Sequence, residues 1–436
     1  MSLHLSARTP VSPVRTTRTV TVAILLTTCT LYVLISQLSF SPSHTYVPDY
    51  LWDQSVKKRW YNTSSQAKEQ SNLSSLAKER GHTQSRMRDL GNSSSQLTLP
   101  KSLMFITDIS FPGRNGSSGV VRELKSIFLF NRPSWFRPNG LHSTQAFAGC
   151  DFDTCLLTDN ETEREGAAAI MFHMCSGLRH PLPFQVDQRQ VWIAFGLESP
   201  PHCGHYRNPY SRKFNWTMTY RTDSDVFYPY DQFHFRQTPA EKNFTALVSG
   251  KSKPVAWFVS NCQDHSKRKE YAKELSKHIQ VDIYGACGSF SCPRSKTNDC
   301  KRLLNTAYFF YLSFENSLCR DYMTEKVFKL YDNVDVIPVV RGRVDYKRYL
   351  PPGTFLDTAD FRTPRELALR LTSLMADKKA YTKMLTLKDR FSTGAIGYDP
   401  TLCRLCEKLH VHNVSKTYPD LQKWASEGIC RDADDV

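Results

Sequence analysis

No internal repeat runs through the 436 residues, which excludes a solenoid or propeller built from a repeated unit. Long blocks of like charge are missing too. The formal charge is +15, but lysine and arginine are scattered and the sharpest run, Lys57-Lys58-Arg59, is short, which argues against nucleic acid as a partner. Charge is wholly absent from Val20 to Leu38. At ~1.5 Å per residue a helix of that length spans roughly the ~30 Å hydrocarbon layer. The stretch is long for the apolar core of a signal peptide and no convincing small-x-small cleavage site follows, so residues 19–38 read as an uncleaved signal anchor instead of a cleaved signal peptide. Arg8, Arg15 and Arg18 precede it with no acidic residue among them, which keeps 1–18 in the cytosol as a short tail and places the remainder in a lumen. Residues 39–98, rich in Ser, Gln, Asn and Lys, lack sustained apolar periodicity and read as a tethering stem.

What is present beyond the stem is globular. Hydrophobic residues make up 40% of the chain and aromatics 12%, enough to bury a sizeable core, and the length suggests more than one domain. Of thirteen cysteines, Cys29 falls in the apolar stretch and twelve remain, an even number. Sequons stand at Asn62, Asn72, Asn92, Asn115, Asn160, Asn215, Asn243 and Asn413. Paired cysteines and sequons together point to an oxidising, glycosylating compartment.

After Lys101 short apolar runs alternate with helical stretches. Strands are expected at 102–106, 167–174, 190–196, 216–221, 254–260, 281–284, 308–314 and 334–340. A helix over 264–279 would align Tyr271, Leu275 and Ile279, and Thr363-Pro364-Arg365-Glu366 is a capping box that starts another. Such alternation predicts an α/β fold with parallel sheets and crossover helices. The polar stretch 239–253 reads as a linker between two halves, 99–247 and 248–436, with the last helix expected to cross back.

The strand ending at Phe314 runs into Glu315 and Asn316, and ligands of parallel sheets sit beyond the carboxyl ends of strands. A helix from about residue 321 would place Tyr322, Glu325 and Lys326 on one face. By spacing alone this is an ordinary amphipathic helix. The whole run, Phe314-Glu315-Asn316 followed by Tyr322-Met323-Thr324-Glu325-Lys326, closely resembles the signature of the α1,3/4-fucosyltransferases, glycosyltransferase family 10. Similarity extends over about residues 100–430, through Leu197-Glu198-Ser199-Pro200, the segment 215–221, Asp223-Ser224-Asp225, and Val259-Ser260-Asn261 with Arg268.

The resemblance implies a GT-B arrangement of two Rossmann-like domains, an acceptor side at 99–247 and a GDP-fucose-binding side at 248–436. It implies a type II Golgi membrane protein with a lumenal catalytic region. Asn316, Tyr322, Tyr230, Ser260 and Asn261 match donor contacts, Glu325 matches a residue that binds sugar or ribose hydroxyls, and Arg268 and Lys326 match groups on the pyrophosphate. Two cations suit a leaving GDP that gains negative charge. Glu198, just past the 190–196 strand, matches the general base that deprotonates the acceptor hydroxyl during inversion at fucose C1. The implied acceptor is a GlcNAc residue of a glycoprotein glycan. Gly285 to Arg294, with Cys287, Cys292 and nearby Cys300, looks more like invertebrate or plant enzymes of the N-glycan core than vertebrate Lewis-type members acting on LacNAc or LacdiNAc antennae. The sequence sets neither oligomeric state nor sequon occupancy.

Asp151-Phe152-Asp153 and Asp223-Ser224-Asp225 have the Asp-x-Asp form that holds a divalent ion elsewhere, so a metal-dependent nucleotide-sugar transferase is one rival reading. The resemblance implies instead a metal-free donor site, with stimulation by Mn2+ in some members and no obligatory cofactor. A non-catalytic, lectin-like glycan-binding membrane glycoprotein is the other rival. Cys403 and Cys406 form a Cys-x-x-Cys, a pattern shared by redox and zinc sites, read here as disulfide cysteines. The family's comparable pair bonds back to cysteines near the domain start, here Cys150 and Cys155. A Cys203 to Cys262 bond is a further expectation. Cys175, Cys287, Cys292, Cys300, Cys319 and Cys430 stay unassigned.

Overall fold

A computed structural model describes residues 122–436, apart from residues 139, 179, 186, 204, 205, 207, 208, 211, 237, 239, 294, 296, 395–398 and 413–415. The expected tail, signal anchor and stem, the strand at 102–106, and the sequons at Asn62, Asn72, Asn92, Asn115 and Asn413 lie outside the described residues. Among the described residues no helix is long and apolar enough to cross a membrane.

Six parallel strands form a first sheet: β1 (Lys125–Leu129), β2 (Cys155–Thr158), β3 (Ala169–His173), β4 (Val191–Gly196), β5 (Trp216–Thr219) and β6 (Val226–Phe227), in spatial order β2-β1-β3-β4-β5-β6. A two-stranded antiparallel ladder joins β7 (Phe233–Phe235) to a strand at Phe391–Thr393. The second sheet, also parallel, comprises β8 (Lys253–Phe258), β9 (Val281–Tyr284), β10 (Tyr308–Phe314), β11 (Ile337–Arg341) and β12 (Leu356–Asp357), in order β12-β11-β10-β8-β9. Every residue of β3, β4 and β10 is buried. Continuous apolar runs suit strands covered on both faces, and that is why these were legible. The short β1 and β2 were not expected, since five and four residues give too little pattern to stand out.

The second sheet's core packs Val255, Trp257, Phe310, Leu312 and Ile337 against Leu371, Leu374 and Tyr381. The helix Arg268–Ser276 adds Tyr271 and Leu275 and is shorter than expected. In the helix Pro364–Ala376, Thr363 Oγ1 accepts from Glu366 N at 3.2 Å, while Glu366 reaches back to Arg362 N at 3.0 Å. The stretch read as a linker is largely ordered into this half. Asn243 caps a helix, Phe244–Gly250, whose Phe244 and Val248 enter the same core.

The chain then returns to the first sheet. Leu402, Leu405 and Leu409 of the helix Pro400–Val411 pack on Ile127, Leu157, Ile193 and Met218, and Leu421 and Ala425 close its other face beside Trp192 and Phe214. Cys150–Cys403 and Cys155–Cys406 lock this return. The remaining bonds are Cys175–Cys203, Cys262–Cys287, Cys292–Cys300 and Cys319–Cys430. The expected Cys203 to Cys262 bond is therefore wrong. Cys175 and Cys203 follow the neighbouring strands β3 and β4, Cys262 and Cys287 follow β8 and β9, and each bond stays at the carboxyl edge of one sheet.

The two returning disulfides close loops of 253 and 251 residues that are almost the same loop. Either bond alone therefore removes most of the denatured chain's freedom. Replacing one cysteine pair by serine is expected to cost about 2 kcal/mol, and replacing both at least about 6 kcal/mol. Denaturant melts of the two variants check this, and simple additivity would contradict it.

Candidate active site

The carboxyl ends of β4 and β10 meet through their following loops. After β4 the chain turns through Leu197, Glu198 and Ser199 into a short Pro200–His202 turn. Ser199 Oγ donates to Ser317 Oγ at 2.8 Å, a buried contact between the halves. Tyr322 Oη donates to Glu198 Oε2 at 2.9 Å, and Tyr230 Oη donates to the Leu197 carbonyl at 2.7 Å. Glu198 itself is exposed, and among the described residues Tyr322 is its one hydrogen-bond donor. Tyr322 is 1% exposed, and burial, reinforced by Tyr230 and Glu198, holds its phenol well above the ordinary range. It stays a neutral donor that fixes one carboxylate oxygen of the exposed Glu198.

Beneath this contact lies a carboxylate that sequence reasoning treated only as part of a motif. Glu315 is 0% exposed. Its oxygens accept from Thr324 N at 2.9 Å and Thr324 Oγ1 at 2.8 Å, and Lys326 Nζ lies 3.2 Å away. These bonds draw the segment 324–326 against the end of β10, so the helix begins at Glu325 (Glu325–Phe328) instead of near 321. Asp321 has φ 61°, a left-handed conformation outside any helix. Tyr322 consequently points inward ahead of the helix, and the expected shared face of Tyr322, Glu325 and Lys326 does not form. Glu325 is exposed, 3.5 Å from Lys326 Nζ. Burial pushes the Glu315 carboxyl up. Burial also opposes the charge on Lys326, but Glu315 and Glu325 outweigh it and raise its pKa, so the ammonium persists.

Arg268 is 4% exposed, with Nε donating to Asp264 at 2.8 Å, Nη1 to the Phe314 carbonyl at 3.1 Å and Nη2 to the Asn261 carbonyl at 3.0 Å. It ties the loop after β8 to the end of β10, and its charge is close enough to lower the proton affinity of Lys326. Ser260 and Asn261 are exposed in that loop. Gly285 packs against it with φ +98°, where a Cβ would lie 2.5 Å from the Val259 carbonyl oxygen and 3.0 Å from Ser260 Oγ, so the close approach requires glycine. Asn316 Oδ1 is buried with no partner among the described residues, an orphaned acceptor of the kind a ligand hydroxyl or N–H satisfies.

Asp223-Ser224-Asp225 does not present an open pair of carboxylates. Asp223 accepts from Arg221 at 2.8 and 2.6 Å and pairs with Arg320, while Asp225 accepts from Thr217 N, Tyr418 Oη and Lys416 Nζ at 2.9, 2.7 and 3.0 Å. The two side chains are saturated by different partners, a donor set that does not suit a cation. Asp151 and Asp153 are both exposed. Cys155, Cys406 and His410 lie close enough to hold a metal, but both sulfurs are spent in their mutual disulfide. Of the sequons among described residues, Asn160 and Asn243 are exposed, whereas the Asn215 amide braces β4 and the 416 segment through bonds to Trp192 N and the Lys416 carbonyl.

An α/β protein whose two parallel sheets join a carboxylate and a cation-bearing loop at their carboxyl edges is the class this geometry defines. Residues 248–424 match the model for glycosyltransferase family 10 (fucosyltransferase), C-terminal, and residues 122–231 match that for the fucosyltransferase N-terminal region. A glycoprotein 3-alpha-L-fucosyltransferase A of Drosophila melanogaster is 36% identical over 320 residues, covering 71% of this chain and 62% of that protein. A 3-galactosyl-N-acetylglucosaminide 4-alpha-L-fucosyltransferase of Bos taurus is 35% identical over 277 residues, covering 62% of this chain and 74% of that one. A crystal structure of an α1,3-fucosyltransferase with GDP-fucose aligns at TM-score 0.44 and 14% identity, covering 69% of this chain and 94% of that one. The chain belongs to glycosyltransferase family 10, the fucosyltransferases. It spans less than two thirds of the fly relative's length.

Proposed function

We propose that the chain is an inverting α1,3-fucosyltransferase that moves L-fucose from GDP-β-L-fucose to a GlcNAc residue of glycoprotein glycans, in the N-glycan core. The observation that carries this reading is the 2.9 Å bond from Tyr322 to Glu198, which brings the signature loop of one half onto the candidate base of the other. In the reaction Glu198 takes the proton from the acceptor hydroxyl as its oxygen bonds to fucose C1 on the face opposite GDP. The bond from C1 to phosphate breaks, and GDP leaves with both electrons. Lys326, kept cationic by Glu315 and Glu325, meets the growing charge on the diphosphate, and Arg268 strengthens the same positive field. Asn316 Oδ1 accepts from a donor N–H or hydroxyl, and Ser260, Asn261, Tyr230 and Glu325 complete the donor contacts. The two halves form a GT-B cleft that excludes water from the donor. The uncharged stretch at 20–38, the arginines before it and the sequons after it support a type II Golgi membrane protein with this cleft in the lumen.

The test is transfer by the full chain from GDP-fucose to N-glycan core, LacNAc and LacdiNAc acceptors. Core fucosylation is expected, and absence of transfer to all three would sink the proposal. Antennary transfer is the second reading, supported by a mammalian relative named as a 4-galactosyl-N-acetylglucosaminide 3-alpha-L-fucosyltransferase. Because Lys326 and Arg268 supply the positive charge, transfer is expected to persist in excess chelator, with at most stimulation by manganese. Complete loss restored by manganese would contradict the metal-free mechanism.

A further inference from the structure

Trp135 sits at the carboxyl edge of the first sheet, in the loop after β1, and is 53% exposed. A lone surface aromatic is ordinary. This one is held rigidly in water. Phe136 N donates to the Pro133 carbonyl at 3.0 Å, closing a turn with Trp135 at its tip, and Arg137 Nε donates to the Ser134 carbonyl at 2.8 Å. Arg132 clamps the base of the turn, Nη1 to the Phe136 carbonyl and Nε to Asp159, both at 3.0 Å. The indole is buttressed by Phe136, His173 and Phe195 at centroid distances of 6.0, 5.7 and 5.9 Å. Asn131 stitches the loop to the end of β3, donating to the carbonyls of His173 and Gly177 at 2.9 and 3.0 Å. Burial pushes the His173 imidazole down to about 4, so this wall is uncharged.

We propose that Trp135 is an acceptor subsite, a platform on which a neutral hexopyranose of the glycan stacks, beyond the GlcNAc whose hydroxyl meets Glu198. This rests on the fucosyl-transfer reading. Phe195, which supports the indole, lies on β4, and Glu198 stands in the loop just past the carboxyl end of that strand, so platform and base share one edge of the first sheet. An acceptor whose GlcNAc meets Glu198 and which continues along that edge presents its next sugar to the indole. The C–H-rich face of a pyranose carries slight positive charge and packs on the negative face of an indole. A platform already fixed by hydrogen bonds loses little freedom when the sugar arrives.

The test compares the full chain with Trp135→Ala and Trp135→Phe on an extended N-glycan oligosaccharide and on a simple GlcNAc glycoside. Trp135→Ala is expected to raise KM for the extended acceptor about five- to tenfold. kcat, KM for GDP-fucose and transfer to the simple glycoside stay unchanged, and Trp135→Phe restores most of the loss. Equal loss on both acceptors, or none on the extended one, would overturn the platform. Calorimetric binding of the extended oligosaccharide to donor-free protein separates this claim from the reaction itself. If the wild type transfers no fucose, the catalytic reading fails, while weaker glycan binding by Trp135→Ala still supports the platform and unchanged binding refutes it.

Discussion

Glu198→Gln is expected to lower kcat for fucose transfer by about 10²- to 10⁴-fold while GDP-fucose binding stays within about twofold of wild type. Glutamine keeps the shape and still accepts the hydrogen bond from Tyr322, so the contact between the loops after β4 and β10 survives. What it loses is the ability to take a proton. Because Glu198 is exposed and makes no ion pair among the described residues, the melting temperature is not expected to move. Activity assays beside a GDP titration check the split. Near-normal turnover would remove Glu198 from the role of base and leave the cleft without its acceptor-side chemistry. Parallel losses in binding and turnover would mean the residue builds the cleft instead of acting in it.

The parts of this site legible in the sequence are those whose chemistry sits in residue type and spacing. Glu198 stands just past a buried strand, and Tyr322 and Lys326 belong to a long motif. The strands β9 and β10 were bounded correctly because β9 stops at a glycine, Gly285, and the largely apolar β10 stops at Glu315. What was not legible depends on who faces whom across long separations. Cys203 pairs with Cys175 because β3 and β4 are neighbours, a fact of strand order. The helix at Glu325 starts late because a buried carboxylate nine residues upstream captures Thr324 N, and no local propensity encodes that. Arg268 was expected to face the diphosphate as an open prong. Asp264 and two carbonyls take three of its five N–H groups, so Arg268 also fixes the loop after β8, a role that only the folded arrangement displays.

The same buried carboxylate makes the second large effect separable into two parts. Lys326→Met removes the cation proposed to meet the diphosphate and is expected to lower kcat/KM by about 10²- to 10³-fold. It also leaves Glu315, 0% exposed, without its ionic partner, which is expected to destabilise the fold by about 3 kcal/mol near pH 8. The sign with pH follows from the protons. Burial already raises the Glu315 carboxyl and Lys326 is what pulls it back, so in the variant its native pKa climbs further above the unfolded value. The native state then holds the extra proton, and stability is full below the ordinary carboxylate range and is lost as pH rises toward the raised native pKa. Melts of Lys326→Met are therefore expected to show a much larger deficit at pH 8 than at pH 5. In the double variant Lys326→Met with Glu315→Gln, no buried charge remains to titrate, so stability recovers and its pH dependence flattens. Activity stays low, because the cation is still missing. Were the double variant to regain turnover along with stability, Lys326 would be a partner for Glu315 and nothing more, and the diphosphate would have to be met by another charge.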